Sequence, residues 1–132
     1  SLGGEGMKKF KPKRTIVSID LLSLDLLVQR GGDVNDCIKE YCRLNKLDIW
    51  TTEPSRSRRG NFIYHTDMSN GAIWLHEESS FGVVTHEVFH AAHHLLKKYG
   101  FQLGDESEEM YAYFMQYVVN EIMLKLYGWK RP

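Results

Sequence analysis

Ser79-Ser80-Phe81-Gly82-Val83-Val84-Thr85-His86-Glu87-Val88-Phe89-His90-Ala91-Ala92-His93-His94-Leu95-Leu96-Lys97-Lys98-Tyr99-Gly100 is the stretch on which the rest of the chain turns. Its apolar residues recur at helical spacing: Val84, Val88, Phe89, Ala91, Ala92, Leu95, Leu96 and Tyr99 fill one arc of about 160° at 100° per residue. This arc is expected to be the core face. His86, Glu87, His90, His93, His94, Lys97 and Lys98 occupy the opposite arc. A serine cap at Ser79 or Ser80 and a left-handed stop at Gly100 bound a helix from about Phe81 to Lys98. Within it, His86-Glu87-Val88-Phe89-His90 is an HExxH pentapeptide. Positions i and i+4 share one helix face, so both imidazoles can reach a single zinc ion while Glu87 stands beside them as a base. An ordinary solvated helix face uses Lys, Glu and Arg, not four histidines within nine positions, which favours a metal site over a bland polar surface.

A catalytic zinc takes three protein ligands and leaves one position open for water, so the pair needs a third donor. The longer motif HExxHxxGxxH is absent, because position 96 is Leu. His93 is only one turn beyond His90, and His86, His90 and His93 do not converge on one ion along a straight helix. His93 and His94 are therefore expected to line the cleft or lie exposed. A following helix, capped by Asp105 or Ser107 and closed by Gly128, is predicted to run to about Tyr127. On its wheel Glu109, Tyr113, Gln116 and Asn120 fall within about 40° of one line, a polar stripe on an otherwise apolar helix. A stripe facing the HExxH helix would bring Glu109 to the metal as third ligand; Glu108, which aligns with Met115, Val119 and Leu126, is the alternative.

Upstream of the helix the signals are those of strands. Thr15 to Val28 is rich in Ile, Val and Leu and reads as one long or two short strands. Gly31-Gly32 breaks it, and Asp33 then caps a helix from about Val34 to Leu44. Thr51 to Gly60, with Pro54 and three arginines, reads as an exposed loop and the segment expected to move most. Asn61 to Thr66 and Ala72 to Glu77 read as a hairpin joined across Asp67-Met68-Ser69-Asn70-Gly71, in which Asn-Gly is the turn signal. The expected fold class is α+β: a small zincin-like domain with a short mixed sheet, an HExxH helix and a C-terminal helix carrying the third ligand.

The 132 residues, 42% hydrophobic, suit one domain, expected over 7–132. Residues 1–6 precede Met7 and read as an expression-vector remnant. Lys+Arg and Asp+Glu are both 17, so no global field draws the chain to nucleic acid, an anionic membrane or an acidic substrate. The basic run Lys8, Lys9, Lys11, Lys13 and Arg14, with Arg56, Arg58 and Arg59, lacks the aromatic interleaving of a nucleic-acid motif. No apolar run would span a bilayer and no secretory core is present. Cys37 and Cys42 show neither CxxC spacing nor a disulfide framework and are expected as reduced thiols in a cytoplasmic setting.

His86-Glu87-x-x-His90 followed by a glutamate on the next helix resembles the gluzincin metallopeptidases. Glu109-Met110-Tyr111-Ala112-Tyr113 is similar to the Glu-x-x-Ala-Tyr signature of small single-domain HExxH proteins of bacteriophages and prophages. The resemblance covers roughly Ile73 to Leu126. It implies a Zn2+-dependent peptidase whose peptide or protein substrate pairs along a strand edge beside the cleft, here Ala72 to Glu77. Where gluzincins often place an aspartate four residues after the ligand glutamate, this chain has Tyr113. An oxyanion donor is also expected; His76, His93, Tyr113 and Tyr117 are candidates that sequence does not rank. The alternative to an enzyme is a non-proteolytic metal-binding or interaction module of a phage or mobile-element system.

Overall fold

A computed structural model describes residues 10–53, 55 and 57–131. Residues 1–6 and Met7, expected to be a vector remnant and the start, lie outside the described residues, as do Lys8, Lys9 and Arg56 of the basic residues and Pro54 of the loop. The apolar stretch after residue 12 forms two strands, β1 (Lys13–Ile19) and β2 (Leu24–Arg30), paired antiparallel from Lys13 opposite Arg30 to Ile19 opposite Leu24. A single 3-10 turn, Asp20–Leu22, joins them, and Ser23 in a left-handed conformation returns its N–H to the Asp20 carbonyl at 3.1 Å. Helix α1 (Val34–Asn45) follows, with Asp33 accepting from the Asn35 N–H as the cap expected for its position. Strands β3 (Gly60–Ile63) and β4 (Gly71–Leu75) form the antiparallel hairpin. Its connection spans residues 64–70, so Gly71 opens β4 and does not turn an Asn-Gly corner.

The sheet order is β1-β2-β4-β3, with β2 and β4 parallel. A parallel pair needs a crossover, and α1 supplies it. Both faces of the sheet are consequently covered. Val17, Leu26, Val28, Ile73 and Leu75 point to one face, where α2 (Phe81–Lys98) and α3 (Glu108–Leu126) pack. Leu27, Ile63, Ala72 and Trp74 point to the other, against Cys37, Ile38 and Tyr41 of α1. The fold is thus α+β, a small mixed four-stranded sheet with three helices among the described residues.

Strand order corrects one expectation. Ala72 to Glu77 contains β4, which is flanked by β2 and β3, so its backbone groups are paired on both sides and no peptide can add there. The edge beside α2 is β3. The uninterrupted buried run of β4 is what an interior strand covered on both faces looks like.

Helix α2 is bounded as its signals require, whereas the expected side-chain cap of α3 is not made. The Ser80 hydroxyl accepts from the Val83 N–H at 3.3 Å, and Gly100 takes φ +90° after the last turn of α2. Ser107 stands at the start of α3, but its hydroxyl donates to the Gln102 carbonyl, leaving the first turn of α3 uncapped. No helix among the described residues is long and apolar enough to cross a membrane. Cys37 and Cys42 are buried free thiols.

Candidate metal centre

Helix α2 lies under the edge of the sheet, and that position decides which of its side chains are covered. Val84, Val88, Ala91, Ala92, Leu95 and Leu96 are buried as the periodicity requires. Three assignments are corrected, two beside the margins of the arc and Tyr99 at the C-cap beyond the last helical turn. Phe89 and Tyr99, placed in the core by the wheel, are 40% and 38% exposed, whereas Glu87, placed on the solvated face, is only 7% exposed. Glu87 is covered by β3, which passes over its side of the helix with Gly60 directly against it. The wheel gives angles about the axis; the neighbour decides which arc is covered.

His86 and His90 project together from the exposed face. Their Nε2 atoms are 3.1 Å apart and their rings stand nearly perpendicular, at 80°. Two zinc-bound imidazole nitrogens at tetrahedral angles and bonds of about 2.0–2.1 Å would be about 3.3 Å apart, so this pair fits two vertices of a zinc site. The same separation lets one imidazole donate to the other through a single Nε2 proton. Burial pushes the Glu87 carboxyl above the usual carboxylate range, while His86, His90 and the Phe62 N–H act in the opposite direction. A carboxyl held between these influences suits proton transfer.

The space in front of this trio is an open cleft of about 450 Å³. Gly60, Asn61, Phe62 and Tyr64 form its strand side, and His93 and His94 extend the helix side beyond His90. Tyr64 stacks on His94 with ring centroids 3.8 Å apart, and Phe62 completes that wall at 5.7 Å from the same imidazole. The His94 Nε2 is buried and makes no hydrogen bond among the described residues. Burial, followed by Lys98, His93 and Lys97, holds its pKa below the usual histidine range.

Glu109 is elsewhere. It is exposed in the first turn of α3, as are Tyr113, Gln116 and Asn120 of its stripe, and Glu108 is exposed too. Helix α3 is buried through Tyr111, Phe114, Val118, Ile122 and Met123, so the polar stripe faces away from the packed core. Tyr113 and Tyr117 border a groove beside Ser18 and the 3-10 turn, and the Tyr117 hydroxyl donates to the Ser18 carbonyl at 2.9 Å. The structure therefore brings together His86, Glu87 and His90 and does not bring Glu109 to them. Among the described residues no group of three or more His, Cys, Asp or Glu side chains is placed to hold a metal ion.

Sequence reasoning missed the strand side of the cleft, Gly60 to Tyr64. Phe62-Ile63-Tyr64 is as continuously apolar as the run in β4, so composition alone does not mark β3 as the edge. Comparison with protein-family models, curated proteins and solved structures finds no match to this chain.

Proposed function

We propose that the chain is a zinc-dependent peptidase with a zincin-like site, acting in a cytoplasmic setting that accords with its two free thiols. The observation that carries the proposal is the convergence of the His86 and His90 Nε2 atoms at 3.1 Å beside a carboxyl buried under an edge strand. His86 and His90 would hold the ion. Zinc bound there supplies Lewis acidity, polarising a carbonyl and bringing the pKa of a water towards about 7. Glu87 would take one proton from an attacking water onto a carboxylate oxygen as the water oxygen bonds to the scissile carbonyl carbon. It then delivers the proton to the amide nitrogen, the C–N bond breaks, and the carboxylate is regenerated. A peptide lying in the cleft would run along the outer edge of β3, which no other strand covers among the described residues and where the Phe62 N–H is already engaged by Glu87.

A second reading is favoured by one observation: no third acidic, cysteine or histidine ligand joins the pair among the described residues. A non-proteolytic metal-binding or interaction module, as in a phage or mobile-element system, does not require the three-ligand set that a catalytic zinc takes.

Two measurements separate the readings. Elemental analysis of the purified native protein is expected to give about one zinc per chain, lost in His86→Ala; a metal-free native protein removes the basis of the peptidase. Wild type and Glu87→Gln are then compared on a diverse peptide library. Cleavage lost in the variant supports the assignment of the base, cleavage unaffected by it refutes that role, and inert wild-type protein that binds zinc favours the module.

A further inference from the structure

The first residue of β3 has no side chain, and the volume a side chain would occupy is filled by Glu87. A Cβ on Gly60 would stand 2.7 Å from Glu87 Cγ, 3.1 Å from its Oε2 and 3.1 Å from Val83 Cγ1. Carbon atoms pack best at about 3.5–4.0 Å, so the first of these contacts cannot be accommodated without movement. The demand is spatial. Gly60 is not among the glycines with positive φ, so its backbone conformation would accept alanine.

Neither backbone can retreat easily. Gly60 pairs with Leu75, and the residue before it is tied to the opposite strand by the His76 N–H donating to the Arg59 carbonyl at 2.8 Å. Helix α2 is fixed from below by Val84, Val88 and Ala91, all fully buried. What would yield is the Glu87 side chain, swinging its carboxyl away from His86 and His90.

We infer that Gly60 is the positioning residue for Glu87: its missing side chain lets the edge strand close over the carboxyl and hold it beside the two histidines. The catalytic consequence rests on the peptidase reading; the contact itself does not.

The test uses the full chain as wild type, Gly60→Ala, Glu87→Ala and the double variant. In urea denaturation, Gly60→Ala is expected to lower the unfolding midpoint when Glu87 is present and to lower it less in the Glu87→Ala background, where Cγ and the carboxyl are gone. An equal loss in both backgrounds overturns the inference. On a cleaved peptide, Gly60→Ala is expected to reduce kcat by about 10²-fold with KM and bound zinc unchanged, the cost of misplacing a reacting group by about 1 Å. Wild-type kcat in Gly60→Ala also overturns it. If wild type cleaves nothing, the peptidase reading falls and the denaturation cycle alone decides whether Gly60 seats Glu87.

Discussion

The phenol ring of Tyr64 covers the imidazole of His94, centroids 3.8 Å apart and planes tilted by 33°. This contact joins the residue just past β3 to the turn of α2 beyond the HExxH pair, and so closes one end of the cleft. It also covers part of the half-buried His94 ring. Its buried Nε2 has no hydrogen-bond partner among the described residues, and Lys98, His93 and Lys97 oppose a charge on the ring.

His94 should therefore titrate below an ordinary histidine, whose pKa is about 6.5. Because its folded pKa is depressed, the unfolded chain binds the proton first as pH falls. The corresponding stability is fully present above about pH 6.5 and is lost on acidification below it. Histidine resonances followed by NMR are expected to show the His94 midpoint rising in Tyr64→Ala, with a loss of about 1 kcal/mol from the missing aromatic contact. An unchanged midpoint in that variant would show that Tyr64 is not what dehydrates the ring.

Arg30 is the second clamp that matters to the site, because it fixes the end of α3 against the segment that leads into α2. Its Nε and Nη2 donate to the Glu77 carbonyl at 3.0 and 2.7 Å, its Nη1 to the Leu126 carbonyl at 2.8 Å, and its guanidinium lies 4.1 Å from the Tyr127 ring centroid. Arg30→Ala is expected to cost about 2–3 kcal/mol in urea denaturation, since it leaves carbonyls unpaired as well as removing the cation. Arg30→Lys should recover less than half, because an ammonium cannot reproduce a planar fork that reaches two carbonyls and an aromatic face. Near-complete recovery by lysine would reduce the interaction to simple charge.

Burial pushes the Cys37 thiol up to about 12. Only the thiolate is nucleophilic, so the folded protein should resist thiol reagents at pH 8 and react after unfolding. The linkage sign follows from the raised value. Below about pH 9 both folded and unfolded chains hold the proton; between about 9 and 12 the unfolded chain releases it first, so stability falls as pH rises through that window. Rapid modification of Cys37 in native protein would contradict its burial.

Much of this architecture was legible because local signals and tertiary packing agree. Asp33 and Ser80 stand where caps must stand, and the 3.6-residue period of Val84, Val88, Ala91 and Leu95 admits one core face. Strand order was not legible, since β3 and β4 are both β-prone and only the parallel pairing of β2 with β4 makes β3 the edge. The site was legible to the extent that it is local. The i, i+4 spacing brings His86 and His90 together within one helix, whereas the cover over Glu87 comes from Gly60, far away in sequence, and no periodicity within α2 records it.

Glu109 is the residue on which sequence pattern and structure part most clearly, and zinc affinity tests them against each other. Its wheel position marks a polar stripe, but a wheel does not fix how α3 is rotated against α2, and the buried arc of α3 leaves Glu109 in solvent. An exposed carboxylate in the first turn interacts with the helix dipole for about 0.3–1 kcal/mol. Glu109→Gln is accordingly expected to lower stability by that amount and to leave bound zinc in place, while His86→Ala and His90→Ala each strip it. Zinc content and a competitive chelator titration of the three variants decide the matter. Zinc lost from Glu109→Gln to the same degree as from the histidine variants would put this carboxylate on the metal and require the first turn of α3 to close over the cleft.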